Sequence, residues 1–144
     1  METLQEIMKK LLADTFALYL KCHQYHWNVE GSNFPQYHEF FGNLYEELHG
    51  AVDPIAEEIR SLDTYAPGSF TRFMELSEIE DETTVPTDVE MARRLMTDNE
   101  RVLATLNIAF KLADQFDKQG LADFLAGRID THNKHQWMLR SITK

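Results

Sequence analysis

What most constrains this chain is how rarely it breaks. Of its 144 residues only six are glycine and four are proline, and most of those mark joints between long stretches of helical periodicity. Leu4, Ile7, Met8, Leu11, Leu12, Thr15, Leu18, Tyr19 and Cys22 recur at the spacing of one helix face. They predict a first helix over roughly residues 2–29, ended by the turn Glu30-Gly31-Ser32-Asn33. Pro35 suits a first helical turn, so a second helix is expected from about 35 to 62. Thr87-Asp88-Val89-Glu90 has the capping-box pattern and opens a third helix. Its stripe is Ala92, Leu95, Met96, Val102, Leu103, Leu106, Phe110 and Ala113. Gly120 breaks the pattern, and Leu121, Phe124, Leu125, Arg128, Ile129, His132, Gln136 and Leu139 carry a fourth helix to the C-terminus.

The stretch from Asp63 to Thr87 is the least regular. It holds Pro67-Gly68, the acidic run Glu78–Glu82 and Pro86, and residues 69–76 suit a short helix within it. A connection this long is not an ordinary hairpin between helices. The expectation is a single all-α domain over residues 1–144: a ferritin-like four-helix bundle with a short extra helix in the long connection between helices two and three. Layout alone fits any other antiparallel bundle equally well.

Charge and cysteine content remove several function classes. Acidic residues number 24 against 14 basic ones, a formal charge of −10. That excludes a generally basic nucleic-acid binder and suits a cation binder. The single cysteine, Cys22, excludes a disulfide framework and a cysteine-only zinc site. No apolar run approaches the ~18 residues of a membrane span, and the N-terminus shows no secretory pattern, so a cytoplasmic protein is expected. No nucleophile–base arrangement or phosphate-binding glycine loop is present, so hydrolase and nucleotide chemistries have no support.

Four of the six histidines fall between residues 23 and 49. His23 and His26 lie one turn apart on the first helix, and His38 and His49 lie on the second. Asp53 and Glu57, four residues apart, share a face of that second helix. Imidazoles with carboxylates suit iron, manganese or zinc. Taken singly, each of these residues reads equally as packing or as a solvated face. His38 and Asp53 stand ~22 Å apart along one helix but differ by only ~60° in azimuth. Two copies packed antiparallel about a two-fold axis at Tyr45–Glu46 would therefore bring His38 of one beside Asp53 of the other, with His26 in reach. Two identical metal sites across the interface would follow from the symmetry.

The segment from His26-Trp27 through Gly31, Phe34 and His38 to Gly42 resembles the signature of the Dps-type miniferritins. Asp53-Pro-Ile-Ala56-Glu57-Glu-Ile-Arg60 continues it, and His132-Asn-Lys134-His-Gln-Trp137-Met-Leu-Arg140 is similar to the family's last helix. The resemblance spans nearly the whole chain. It implies a hollow homo-dodecamer that oxidises Fe(II), typically with hydrogen peroxide and otherwise with oxygen, at ferroxidase centres on two-fold interfaces. The ferric mineral would be stored inside. It also implies that His26 and His38 bind iron from one subunit and Asp53 and Glu57 from its partner, with Glu57 bridging and Trp27 close by. Acidic side chains near the start of the last helix would line iron-entry pores; Asp123 falls at such a position, with Asp117 and Asp130 nearby.

Three departures from the family pattern matter. Gly42 stands where the family usually has an aspartate. In the antiparallel register position 42 faces position 49, so His49 of the partner is a candidate replacement, and His23 is a second one. Such a histidine-richer centre would favour zinc in the same site or bind a second iron weakly. Pro54 lies inside the second helix, where a kinked continuous helix is expected. No lysine-rich tail precedes the first helix, so DNA binding is expected to be weak or absent. The competing readings are a Dps-like cage with a degenerate or zinc-preferring centre and slow oxidation, a nucleoid-binding structural protein, and a di-iron site inside one bundle. Glu46-Glu47-Leu48-His49 is the one match to the Glu-x-x-His motif that the last would need.

Overall fold

A computed structural model describes all 144 residues. The chain forms α1 (Glu2–Asn28), α2 (Phe34–Ser61), α3 (Phe70–Leu76), α4 (Asp88–Gln115) and α5 (Gln119–Ile142), with no strand. α1, α2, α4 and α5 make an antiparallel bundle. α1 packs on α2 and α4, α4 packs on α5, and short α3 rests against α1. The predicted stripes of α1, α4 and α5 are buried at Leu4, Met8, Leu11, Leu95, Leu106 and Leu125, together with Phe41, Leu48 and Ile55 of α2, all essentially inaccessible to solvent. No helix is long and apolar enough to cross a membrane.

The expected start signals hold. Pro35 sits in the first turn of α2. The Thr87 hydroxyl accepts from the Glu90 N–H at 3.3 Å, and Ser69 caps α3 in the same way through Arg72 N at 3.2 Å. Pro54 does not end α2, which continues from 34 to 61. The break before α5 lies earlier than Gly120 suggested. α4 stops through Asp117, whose φ of 57° is left-handed. The N–H of Lys118 donates to Ala113 O at 2.8 Å and that of Asp117 to Asp114 O at 3.0 Å, the paired bonds of a Schellman stop. An aspartate tolerates this conformation better than most residues. Gly120 then falls inside the first turn of α5.

Two carboxylates tack the long connection to the bundle. Asp14, fully buried on α1, accepts from Ser77 Oγ at 2.9 Å, Glu78 N at 2.8 Å, Lys10 Nζ at 2.9 Å and Thr105 Oγ1 at 3.3 Å. Glu82 accepts from the Tyr25 hydroxyl at 2.6 Å, from Arg94 at 2.7 Å and from Thr84. Burial alone would raise the Glu82 carboxyl; the bonds from Tyr25, Thr84 and Arg94 outweigh it and hold it down to about 2. Between the two clamps, Lys21 of α1 forms a buried ion pair with Asp98 of α4 at 2.8 Å.

Candidate metal centre

The turn between α1 and α2 sets the geometry of the two histidines. α1 ends at Asn28 and α2 begins at Phe34, with Gly31 between them at a φ of 125° that favours glycine. This short reversal lays the last turn of α1 beside the second turn of α2. His26 and His38 meet there as a stacked pair, ring centroids 3.8 Å apart and planes at 15°. The pairing is reciprocal. His26 Nδ1 is 2.7 Å from the His38 carbonyl oxygen, and His38 Nδ1 is 2.7 Å from that of His26. A carbonyl only accepts, so both Nδ1 atoms carry the proton. In the neutral ring this tautomer leaves the lone pair on Nε2, the form in which imidazole binds a divalent metal. Phe34 stacks against His38 at 4.9 Å.

The other two histidines lie on the same α1–α2 face. His23 lies flat on Tyr45, with centroids 3.8 Å apart and planes at 6°, and 4.1 Å from Trp27. Its Nδ1 meets the Tyr19 hydroxyl at 3.1 Å. Partial burial lowers its pKa, and the neighbouring His26 and His49 lower it further, so it stays neutral. His49 is exposed and packs on Tyr19 at 4.8 Å. Trp27 is 59% exposed beside these rings.

Asp53 and Glu57 are exposed, on the far half of α2 from His38. One chain therefore joins His26 to His38 but brings neither carboxylate to them. No three His, Cys, Asp or Glu side chains converge within the chain. Gly42 leaves no vacancy: a Cβ built there would lie 3.1 Å from both Cε1 and Nδ1 of His26, whose ring fills the space. Of the pore candidates, Asp123 is exposed on α5, Asp117 is the left-handed residue that stops α4, and Asp130 pairs with Lys134 at 3.2 Å.

Inside the bundle the arrangement differs from the Glu-x-x-His alternative. Glu46 and His49 are both exposed; the inward residue is Glu47. Arg128 of α5 grips Glu47 with two bonds, of 2.6 and 3.1 Å, and donates to His132 Nε2 at 3.1 Å. His132 Nδ1 in turn donates to Asn99 Oδ1 at 2.6 Å, and His135 Nε2 donates to Glu47 Oε1 at 2.9 Å. Burial would raise Glu47, but the bonds from His135 and Arg128 prevail and hold it down to about 2. Burial, with Arg128 beside it, keeps His132 neutral, well below the ordinary histidine range. A guanidinium thus supplies the positive charge beside Glu47. Sequence reading passed over Glu47, although it lies three residues after Leu44 and four before Ala51, on the buried stripe.

Comparison with known proteins agrees with this fold. The profile of the ferritin-like domain matches residues 5–144. An uncharacterized low temperature-induced protein of Nostoc is 35% identical over 94% of this chain and 77% of its own length. The DNA protection during starvation protein 2 of Bacillus anthracis is 32% identical over 95% of this chain and 94% of its own. Among solved structures, the Dps protein of Bacillus brevis superposes with a TM-score of 0.95 at 29% identity, covering 99% of this chain and 96% of that one.

Proposed function

Because the chain belongs to the ferritin-like family, as a Dps-type miniferritin, we propose that it oxidises and stores iron at sites shared between two copies and so limits oxidative damage. The observation that carries this reading is the histidine pair. His26 and His38 are both fixed with Nδ1 protonated and Nε2 free, and their own chain offers no third ligand. A second copy, antiparallel about Tyr45–Glu46, would supply Asp53 and Glu57 to the same place. Glu57 would bridge a pair of irons. Hydrogen peroxide would take one electron from each Fe(II), and its O–O bond would break to give two hydroxides. Oxygen is the alternative oxidant. Close-set irons let both electrons leave together, so no hydroxyl radical is released.

The rest follows from assembly. Twelve copies would enclose the mineral, with Fe(II) drawn through acidic pores at Asp123, joined by Asp117 and Asp130. The protein would act in the cytoplasm. His49 of a second copy faces position 42 in this register and is proposed as a further ligand. An unchanged metal stoichiometry and oxidation rate in His49→Ala would overturn that assignment. His23, clamped between Tyr45 and Trp27 and engaged at Nδ1 by Tyr19, is proposed as a wall of the site and the weaker candidate for the same ligand role.

Gly42 favours one second reading, a cage whose centre prefers zinc and oxidises iron slowly, because the site there lacks an oxygen donor. Anaerobic Fe(II) titration of metal-free protein, followed by a stoichiometric peroxide pulse, separates the two. Fast growth of ferric absorbance that His38→Ala abolishes supports the ferroxidase. Binding without fast oxidation supports the slow cage.

A further inference from the structure

α2 and α5 do not pack backbone to backbone, and long polar side chains fill the interior between them. Arg128, His132 and His135 of α5 are 8%, 1% and 6% exposed, and they face Glu47 of α2. The Arg128 guanidinium bonds both carboxylate oxygens of Glu47, and its NH2 group lies 3.1 Å from Glu47 Oε1 and 3.1 Å from His132 Nε2. His135 Nε2 meets the same carboxylate at 2.9 Å. His132 donates through Nδ1 to Asn99 Oδ1 at 2.6 Å, so its Nε2 lone pair faces the guanidinium. A metal-bound imidazole is held in the same way, with its other N–H on a polar partner. A carboxylate and two imidazoles one turn apart on a helix form a donor set for iron, cobalt or zinc.

Stability alone does not account for this cluster. Apolar side chains of similar volume often replace a buried ion pair without loss. The hydrogen bonding here is also incomplete, because Arg128 Nε and His135 Nδ1 are buried with no partner. With Arg128 in place no three ligand side chains converge. Bonds from such donors to a metal are about 2.1 Å long, so an ion standing at the guanidinium would need Glu47 and His132 each to close by only about 1 Å.

We propose that Arg128 is a specificity-determining residue. Its guanidinium stands where a metal ion would sit among Glu47, His132 and His135. It is a cation built into the chain that keeps iron out of the bundle interior and leaves it to the centre between copies. What the exclusion serves rests on the iron-oxidising reading; the exclusion itself does not.

The test uses the assembled protein in a His38→Ala background, which silences the interface centre. Anaerobic Co(II) titration in mildly alkaline buffer, followed through the visible d–d bands, sets the baseline. Adding Arg128→Met, which removes the charge but fills the space, should gain one Co(II) per chain over that baseline. Adding Glu47→Gln to that variant should remove it again. Helical content and elution volume matching the parent's show an intact fold, and Arg128→Gln repeats the test should the methionine variant not fold. A folded Arg128 variant that gains no ion overturns the proposal, as does a gained ion that survives Glu47→Gln. So does a wild-type crystal grown with Co(II) whose anomalous density places the ion among Glu47, His132 and His135, a measurement that needs no variant. A wild type that binds no Co(II), beside an Arg128 variant that gains one, defeats the interface reading and leaves the exclusion standing.

Discussion

Each imidazole of the central pair is oriented by one hydrogen bond to the other residue's backbone, so neither depends on a carboxylate to choose its tautomer. The buried histidine and carboxylate further along the bundle have a different consequence, a staged acid response. His132 is held neutral in the fold but protonates in the unfolded chain below about 6.5, so its contribution to stability is complete above that pH and shrinks below it. Glu47 titrates at about 2 in the fold against 4.5 when free, so its contribution is present above 4.5 and lost as pH falls toward 2. Thermal midpoints measured from pH 8 to pH 2 should decline in two stages, and Glu47→Gln should shrink the lower one without abolishing it, because Glu82 is held down over the same range. At this scale the sequence showed the ligand candidates, because His, His, Asp and Glu recur at motif spacing. It hid the close approach of His26 to Gly42, since that contact depends on a side chain reaching across from another helix.

The helices were legible to within a residue or two because apolar periodicity and caps agreed. Thr87→Ala should lower stability by about 1 kcal/mol in a denaturant melt by removing the cap on Glu90 N. The boundary that sequence misplaced offers a sharper check. Gly120 looked like the breaker, yet the chain turns at Asp117, three residues earlier. A left-handed aspartate satisfies the same hydrogen bonds as a glycine, and pattern alone does not distinguish the two sites. Asp117→Gly should therefore stabilise by up to about 1 kcal/mol by relieving the left-handed φ. Gly120→Ala should also stabilise, by a similar amount, as an ordinary helix substitution; a loss there would restore Gly120 as the joint. The long connection was unreadable for another reason. Its order comes from Asp14 and Glu82, which tie it to the bundle across more than 50 residues of chain, Asp14 to Ser77 and Glu78 and Glu82 to Tyr25.

As a whole, the chain presents an acidic surface, −10 in formal charge, with a local apolar exception. Phe70 and Met74 of α3 are 76% and 72% exposed. An exposed apolar pair of this kind is what an interface between copies would cover. Phe70→Glu combined with Met74→Glu should reduce the assembly measured by light scattering while leaving helical content intact. The negative charge sets the expectation for DNA: no gel shift at physiological salt, because too few cations cluster to release counterions.

One feature of the single chain, its lack of any three converging ligands, has a consequence for timing. If each copy carries half a site, metal capture behaves as a coincidence detector. A newly made subunit would then be inert toward iron until it met a second. By reciprocity, the ion that binds there strengthens the pairing by the same factor by which the pairing strengthens the ion's hold. Apparent metal affinity should then rise with protein concentration, and reactive iron would be held only where a partner already stands across the interface.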